Sequence, residues 1–465
     1  MTHTLKARPR LLATAVLAAL VLPGAAFAQT AKERELEARV AQLEAMVQQL
    51  VTQQQQTETV VTEVRTAQAA QPAPAAAVVG TGAAAPIQTT TITPTANPGT
   101  KFTVGGMIRT DAMVTKTTDG DIAQGSAGRD FYVPGAIPVG GTAPDTYSDA
   151  HLKFSRLWFD ASTVLDSGDK LGARVEFDFF GGALGNPAAT NTYGATLRHA
   201  YLTYNNWLVG QTWSNFMDTN ALIDAVDFVG PTDGVAFVRQ PQLRYTSGPW
   251  AISIERPETT VQPFGGGARV IGGDNSAIPD VIARYTHKGD WGHISFAGLA
   301  RQLKYQPYNA AGLQPAGAES TDTGFGAQVS GLVKLGDSTD IRYQVSGGDG
   351  IGRYIGLATV QQDAMVDAAG DIDALGGWAG YFGLRQVFSP KVRGNLFYSR
   401  SQWDNNAAWT GLGVTRKVHS VHANMIWSPV PKLDFGVEAI WGERTLQSGA
   451  DGELMRLHTM ARYSF

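Results

Sequence analysis

The 465-residue chain contains no cysteine, which excludes disulfide frameworks, thiolate metal sites, thiol catalysis and lipidation at a mature N-terminal cysteine. Charged residues make up only 17% and the formal net charge is −4, which argues against general nucleic-acid binding. Catalytic signatures are missing too: there is no G-x-S-x-G elbow, no H-E-x-x-H and no phosphate loop. The eight histidines are scattered. His419 and His422 are three apart, which on a strand puts them on opposite faces and makes them poor joint metal ligands. The expectation is no catalytic residue, no metal and no cofactor. Past the first 28 residues no apolar run is long enough for a helical membrane span. The mean hydropathy of −0.12 therefore looks soluble. A transmembrane β-protein has the same average, because its strands alternate apolar-out with polar-in.

What is present begins with an export signal. Lys6, Arg8 and Arg10 precede an apolar run from Leu11 to Leu22, followed by Ala26-Phe27-Ala28. That order of basic, apolar and small-residue regions reads as a secretory signal peptide over 1–28, cut before Gln29. Segment 29–66 then carries an a/d heptad pattern with Leu36, Val40, Leu43, Val47 and Leu50 on one seam. A single helix leaves such a seam exposed, so an oligomerising α-helical coiled coil in the periplasm is expected; a lone amphipathic helix is the alternative. Residues 67–100 are rich in Ala, Pro and Thr and read as a semi-extended linker.

From Lys101 onward the texture is β, with 53 glycines in the whole chain serving tight turns. In the last segment Leu457, Thr459, Ala461, Tyr463 and Phe465 point one way; Arg456, His458, Met460, Arg462 and Ser464 point the other. About sixteen such segments can be marked. Their connections alternate short, as at Asp166-Ser167-Gly168 and Asn205-Asn206, with long, as at Thr117–Ser148 and Gly348–Leu375. Short periplasmic turns opposite long external loops are the signature of an outer-membrane barrel. The fold class is thus all-β: a transmembrane antiparallel β-barrel of about sixteen strands over 101–465, lying in the lipid bilayer of the bacterial outer membrane. Trp207, Trp250, Trp291, Trp427 and Tyr463 near strand ends fit an interfacial girdle.

With apolar faces toward lipid, Arg109, Arg156, Arg174, Arg198, Arg244, Arg284, Arg342, Arg385 and Arg462 fall on the lumen side. A guanidinium on the lipid face is too costly for any other placement. Cationic rings in a narrow pore attract small anionic solutes; the rival reading pairs these arginines with inward carboxylates that only stiffen the wall. The long loop after Trp213 mixes apolar anchors with acids and is the expected constriction element. Its residues are Phe216, Asp218, Asp224, Asp227 and Asp233, the acids facing wall arginines to set up a transverse field.

These features resemble the DcaP-like trimeric outer-membrane porins. The local matches are Ser155-Arg156-Leu157, Arg198-His199-Ala200-Tyr201, Gly210-Gln211-Thr212-Trp213-Ser214 with Asn215-Phe216, and Pro241-Gln242-Leu243-Arg244-Tyr245. The resemblance implies a homotrimer with bundled periplasmic coiled coils and pores that admit small anions, dicarboxylates in particular. The reading is a porin for passive diffusion. Its rivals are an envelope tether that grips peptidoglycan through the coiled coil, and an outer-membrane barrel hydrolase.

Overall fold

The computed structural model describes residue 97 and residues 99–142, 146–181, 185–186, 192–271, 278–307 and 317–465. The expected signal peptide, the expected seam of Leu36, Val40, Leu43, Val47 and Leu50, and nearly all of the expected linker lie outside the described residues.

Sixteen staves form one closed antiparallel sheet. They are β1 (Lys101–Thr117), β2 (broken into Thr146–His151 and Arg156–Val164), β3 (Lys170–Asp178), β4 (Thr196–Tyr204), β5 (Trp207–Trp213) and β6 (Arg239–Ser247). There follow β7 (Trp250–Glu255), β8 (Asp280–Gly289), β9 (Gly292–Tyr305), β10 (Ser320–Lys334) and β11 (Thr339–Asp349). The last five are β12 (Gly376–Ser389), β13 (Val392–Trp403), β14 (Thr415–Val430), β15 (Leu433–Leu446) and β16 (Asp451–Ser464). Each pairs with the next, and β1 pairs with β16 from Met107↔Ser464 to Thr117↔Leu454, so the sheet has no edge. The terminal residue takes part in the closure: Phe465 N–H donates to Gly106 O at 3.0 Å and accepts from Gly106 N–H at 3.3 Å.

Alternation explains which way each stave faces. On β16 the outward Leu457 and Tyr463 are exposed, while Arg456, His458 and Met460 are buried inside. The same period-2 pattern holds on β1, β7, β9 and β10. Trp207, Trp250, Trp291, Trp427 and Tyr463 are all exposed and lie at the short-turn end, where they make one girdle. Among the described residues no helix is long and apolar enough to cross a membrane; the crossing is made by strands.

Two irregularities matter for the interior. The break in β2 turns Ser155 inward, where its Oγ accepts the Arg109 N–H at 3.0 Å. A register shift between Glu176 and Phe177 of β3, opposite β4, aims both Arg198 and His199 into the barrel although they are adjacent in sequence.

More long loops fold inward than the one after Trp213. Phe131, Tyr132, Val133 and Ile137 of the first loop (118–145) are buried, as are Ile351, Tyr354 and Ile355 of the sixth (350–375). Apolar side chains on loops this long find cover only inside the barrel. Two short strands of the fourth loop, Thr260–Gln262 and Val270–Ile271, join Ala364–Val366 and Ile372–Ala374 of the sixth in a small four-stranded sheet.

Candidate functional site

The third long loop (214–238) runs along the inner wall, held by its own main chain and its apolar residues. Phe216 is fully buried in a cluster with Ile282, Ala297, Leu299 and Tyr354, and Met217, Ile223, Val229 and Phe237 enter a second cluster with Phe131, Phe154 and Phe397. Wall arginines catch the loop carbonyls in sequence. Arg284 donates to Met217 O at 2.8 Å, Arg342 to Leu222 O, and Arg109 to Val226 O at 2.6 Å. Glu438 of β15 accepts the Val226 N–H at 2.6 Å.

Most of the loop acids do not face wall arginines as expected; Asp218, Asp227 and Asp233 instead fasten the loop to the wall, to the first loop and to itself. Asp218 bonds His293 at 2.8 Å and Ser330 at 2.9 Å. Asp224 alone meets arginines, Arg393 at 2.5 Å and Arg385 at 4.0 Å. Asp227 accepts from the main-chain N–H groups of Tyr132 at 2.8 Å and of Val229 and Gly230 at 3.1 Å each, and lies 3.5 Å from His458 Nδ1. Asp233 accepts the Tyr132 hydroxyl at 2.9 Å and the Ser420 hydroxyl. The two buried carboxyls diverge. Burial pushes Asp227 up, but the adjacent His458 imidazole and the Tyr132 N–H outweigh it and hold the group at about 2. At Asp233 burial prevails over hydroxyl donors and lifts the group to about 6.

Ser420, His422 and Glu438 have the spacing of a hydrolytic triad. His422 Nε2 is 3.1 Å from Ser420 Oγ, and its Nδ1 is 2.7 Å from Glu438 Oε1. All three are fully buried. The serine donates to Asp233, Tyr132 sets its edge against the imidazole at 5.2 Å, and Phe397 stacks on it at 4.5 Å. The constellation ties the third loop to β14 and β15 and leaves no room beside the serine for a substrate.

All nine arginines marked in the sequence face inward, and they divide into two groups. Seven meet carboxylates: Arg109 with Asp111 at 2.6 Å, Arg156 with Glu176 at 3.3 Å, and Arg198 with Glu176 at 2.9 Å and Asp178 at 2.5 Å. Arg342 and Arg385 share Asp340 at 2.8 and 3.2 Å, and Arg462 bonds Asp434 at 2.5 Å. Arg174, the seventh, lies 3.3 Å from Glu176, as Arg156 does, and 3.7 Å from Asp160, with its guanidinium over Trp158. Arg244 and Arg284 differ: among the described residues neither has a carboxylate within 4 Å. Arg244 donates to Gln242 Oε1 at 2.8 Å and to Trp213 O, and Arg284 to Met217 O.

Arg239 belongs with this second group and was not marked in the sequence. It stacks on Trp213 at 4.7 Å, a ring that also flanks Arg198 and His199, and meets no carboxylate within 4 Å among the described residues. It stands where the third loop rejoins β6, and there strand parity gives no guide. Arg393 was also missed, although the inward parity of β13 would have found it. No group of three or more potential metal ligands occurs among the described residues.

The DcaP outer membrane protein family matches this chain over residues 37–465. The chain belongs to that family. The crystal structure of the outer membrane channel DcaP of Acinetobacter baumannii is 25% identical, covering 80% of this chain and 99% of that one, with a TM-score of 0.63. An anion-selective porin from Comamonas acidovorans is 11% identical, covering 79% of this chain and 100% of that one, with a TM-score of 0.48. No match is found among curated proteins. As a DcaP family member the chain is an outer-membrane protein whose sixteen-strand barrel agrees with the count marked from sequence.

Proposed function

We propose that the chain is a passive diffusion channel of the outer membrane, biased toward small organic anions such as dicarboxylates. The observation that carries the bias is the trio Arg239, Arg244 and Arg284. Three guanidiniums on β6 and β8 bond neutral acceptors or an aromatic face, so among the described residues no contacting carboxylate cancels their charge. In a narrow lumen such charges raise the local anion concentration, and the folded third loop limits solute size. The driving force is the solute gradient, and no cofactor takes part.

Planar-bilayer reversal potentials in a salt gradient test this reading. Anion preference is expected in the wild type, weaker in the Arg244→Ala/Arg284→Ala variant and in Arg239→Gln. Cation preference in the wild type, or unchanged selectivity in all variants, would overturn it.

The family resemblance is the ground for proposing a homotrimer whose coiled coils (29–66) bundle in the periplasm, reached through the 67–100 linker after removal of residues 1–28; the heptads alone would equally allow a dimer. They also allow the tether reading, in which the coiled coil grips peptidoglycan. Deleting residues 29–98 separates the two: unchanged uptake with a weakened envelope favours the tether.

A further inference from the structure

At the long-loop end of the barrel a cavity of about 460 Å³ opens where four loops converge above β14 and β15. Its chemistry is one-sided. Arg269 and Arg444 line it together with glutamine amides and threonine hydroxyls, and no acidic residue is among the lining residues. Arg444 spends Nε on Thr415 Oγ1 at 2.9 Å and Nη1 on Ile137 O at 3.0 Å. Arg269 is exposed and gives Nη1 to the carbonyl of Ala358. Each guanidinium thus keeps further N–H groups for another partner. Arg269's acceptor lies on an unusual stretch of backbone, since Leu357 and Ala358 are consecutive non-glycine residues with φ of 60° and 54°. Such conformations persist where the surroundings impose them, often at binding sites. One lining group is of opposite character: Gln362 Oε1 is buried and accepts no hydrogen bond. As placed, that atom is turned away from the cavity, and a turn of this half-buried amide would bring it to a donor there.

We infer that this cavity is an external binding site for small hydroxylated carboxylates, the carboxylate held by Arg269 and Arg444 and a hydroxyl donated to Gln362. The volume falls in the range of small-molecule sites. Charge-assisted contacts from guanidinium to carboxylate supply affinity, and the orphaned acceptor supplies preference for a ligand that carries a hydroxyl. The site lies outside the third-loop constriction and would load anions before they enter the lumen. In that role it rests on the anion-channel reading, although binding itself does not.

The test uses the full-length channel in planar bilayers with chloride as current carrier. D-gluconate and hexanoate serve as probes of equal charge and carbon number. Gluconate added on the loop side is expected to depress the chloride current at lower concentration than from the turn side, and at lower concentration than hexanoate. Arg269→Gln should raise the loop-side half-blocking concentration about tenfold and leave turn-side block unchanged. Arg444→Gln should act the same way, and Gln362→Leu should erase the difference between gluconate and hexanoate. Equal block from both sides, or no response to Arg269→Gln, would overturn the site. A cation-preferring wild type that still shows loop-side gluconate block would instead overturn the channel reading and leave the site standing.

Discussion

Tyr132 of the first long loop donates its hydroxyl to Asp233 of the third across 2.9 Å, deep inside the barrel. Two loops that begin about a hundred residues apart are fastened to each other and, through Ser420, to the wall. Tyr132→Phe keeps the ring and removes the donor. It should destabilise the loop pair by about 1–3 kcal/mol, the usual consequence of an unsatisfied buried acceptor. Single-channel recordings check this: more frequent closures and noisier open current are expected, and an unaltered trace would show the contact to be dispensable.

The raised Asp233 makes the fastening pH-dependent, with a definite sign. Its folded value, about 6, lies above the ordinary 3.8, so the folded loop binds a proton more tightly than the unfolded chain. That contribution is complete below the unfolded value and is lost as pH rises through 6, on the order of 2–3 kcal/mol in all. Asp227 works oppositely, contributing above 3.8 and losing its effect as pH falls through about 2. Current noise should therefore fall when a neutral solution is taken to pH 5. Asp233→Asn, already neutral, should show no such change.

Gly234 sits where the third loop crosses β12, and a Cβ there would run into the Gly380 backbone. Gly234→Ala should push the loop off the wall. A larger single-channel conductance with intact heat-resistant barrel mobility on gels is the expected outcome. Unchanged conductance would mean that the loop yields without opening the lumen.

Arg301 is fully buried between Asp363 at 2.9 Å and Asp280 at 3.4 Å, and also donates to Gly350 O at 2.8 Å. It pins the small external sheet to β8 and β9. Arg301→Leu strands two carboxylates in the interior and should cost about 3–5 kcal/mol. Protease cutting within 350–375 before any cutting of the barrel would report the released sheet; equal resistance to the wild type would count against this role.

How much of this was legible in advance divides by the range of the interaction. Barrel, strand count, turn ends and the inward face of each arginine follow from period-2 alternation, because lipid on one side forces every guanidinium to the other. Phe465, Tyr463 and Leu457 fix that parity on β16 from sequence alone, and β1 then receives it through the closing register. Alternation carries no information about partners, however. That Arg198 and His199 both face inward depends on a register shift set by the neighbouring strand. That Asp227 and Asp233 anchor the loop rather than line the pore depends on Tyr132, Ser420 and His458, which come from the first loop, β14 and β16. Arg239 lies where the strand pattern ends, so only the stacking on Trp213 reveals it. The sequence by itself determined which side of the wall residues on regular strands occupy, since a local period and the solvent on either face suffice for that. Which charges remain uncompensated was decided only by tertiary structure, because pairing depends on contacts between segments up to hundreds of residues apart.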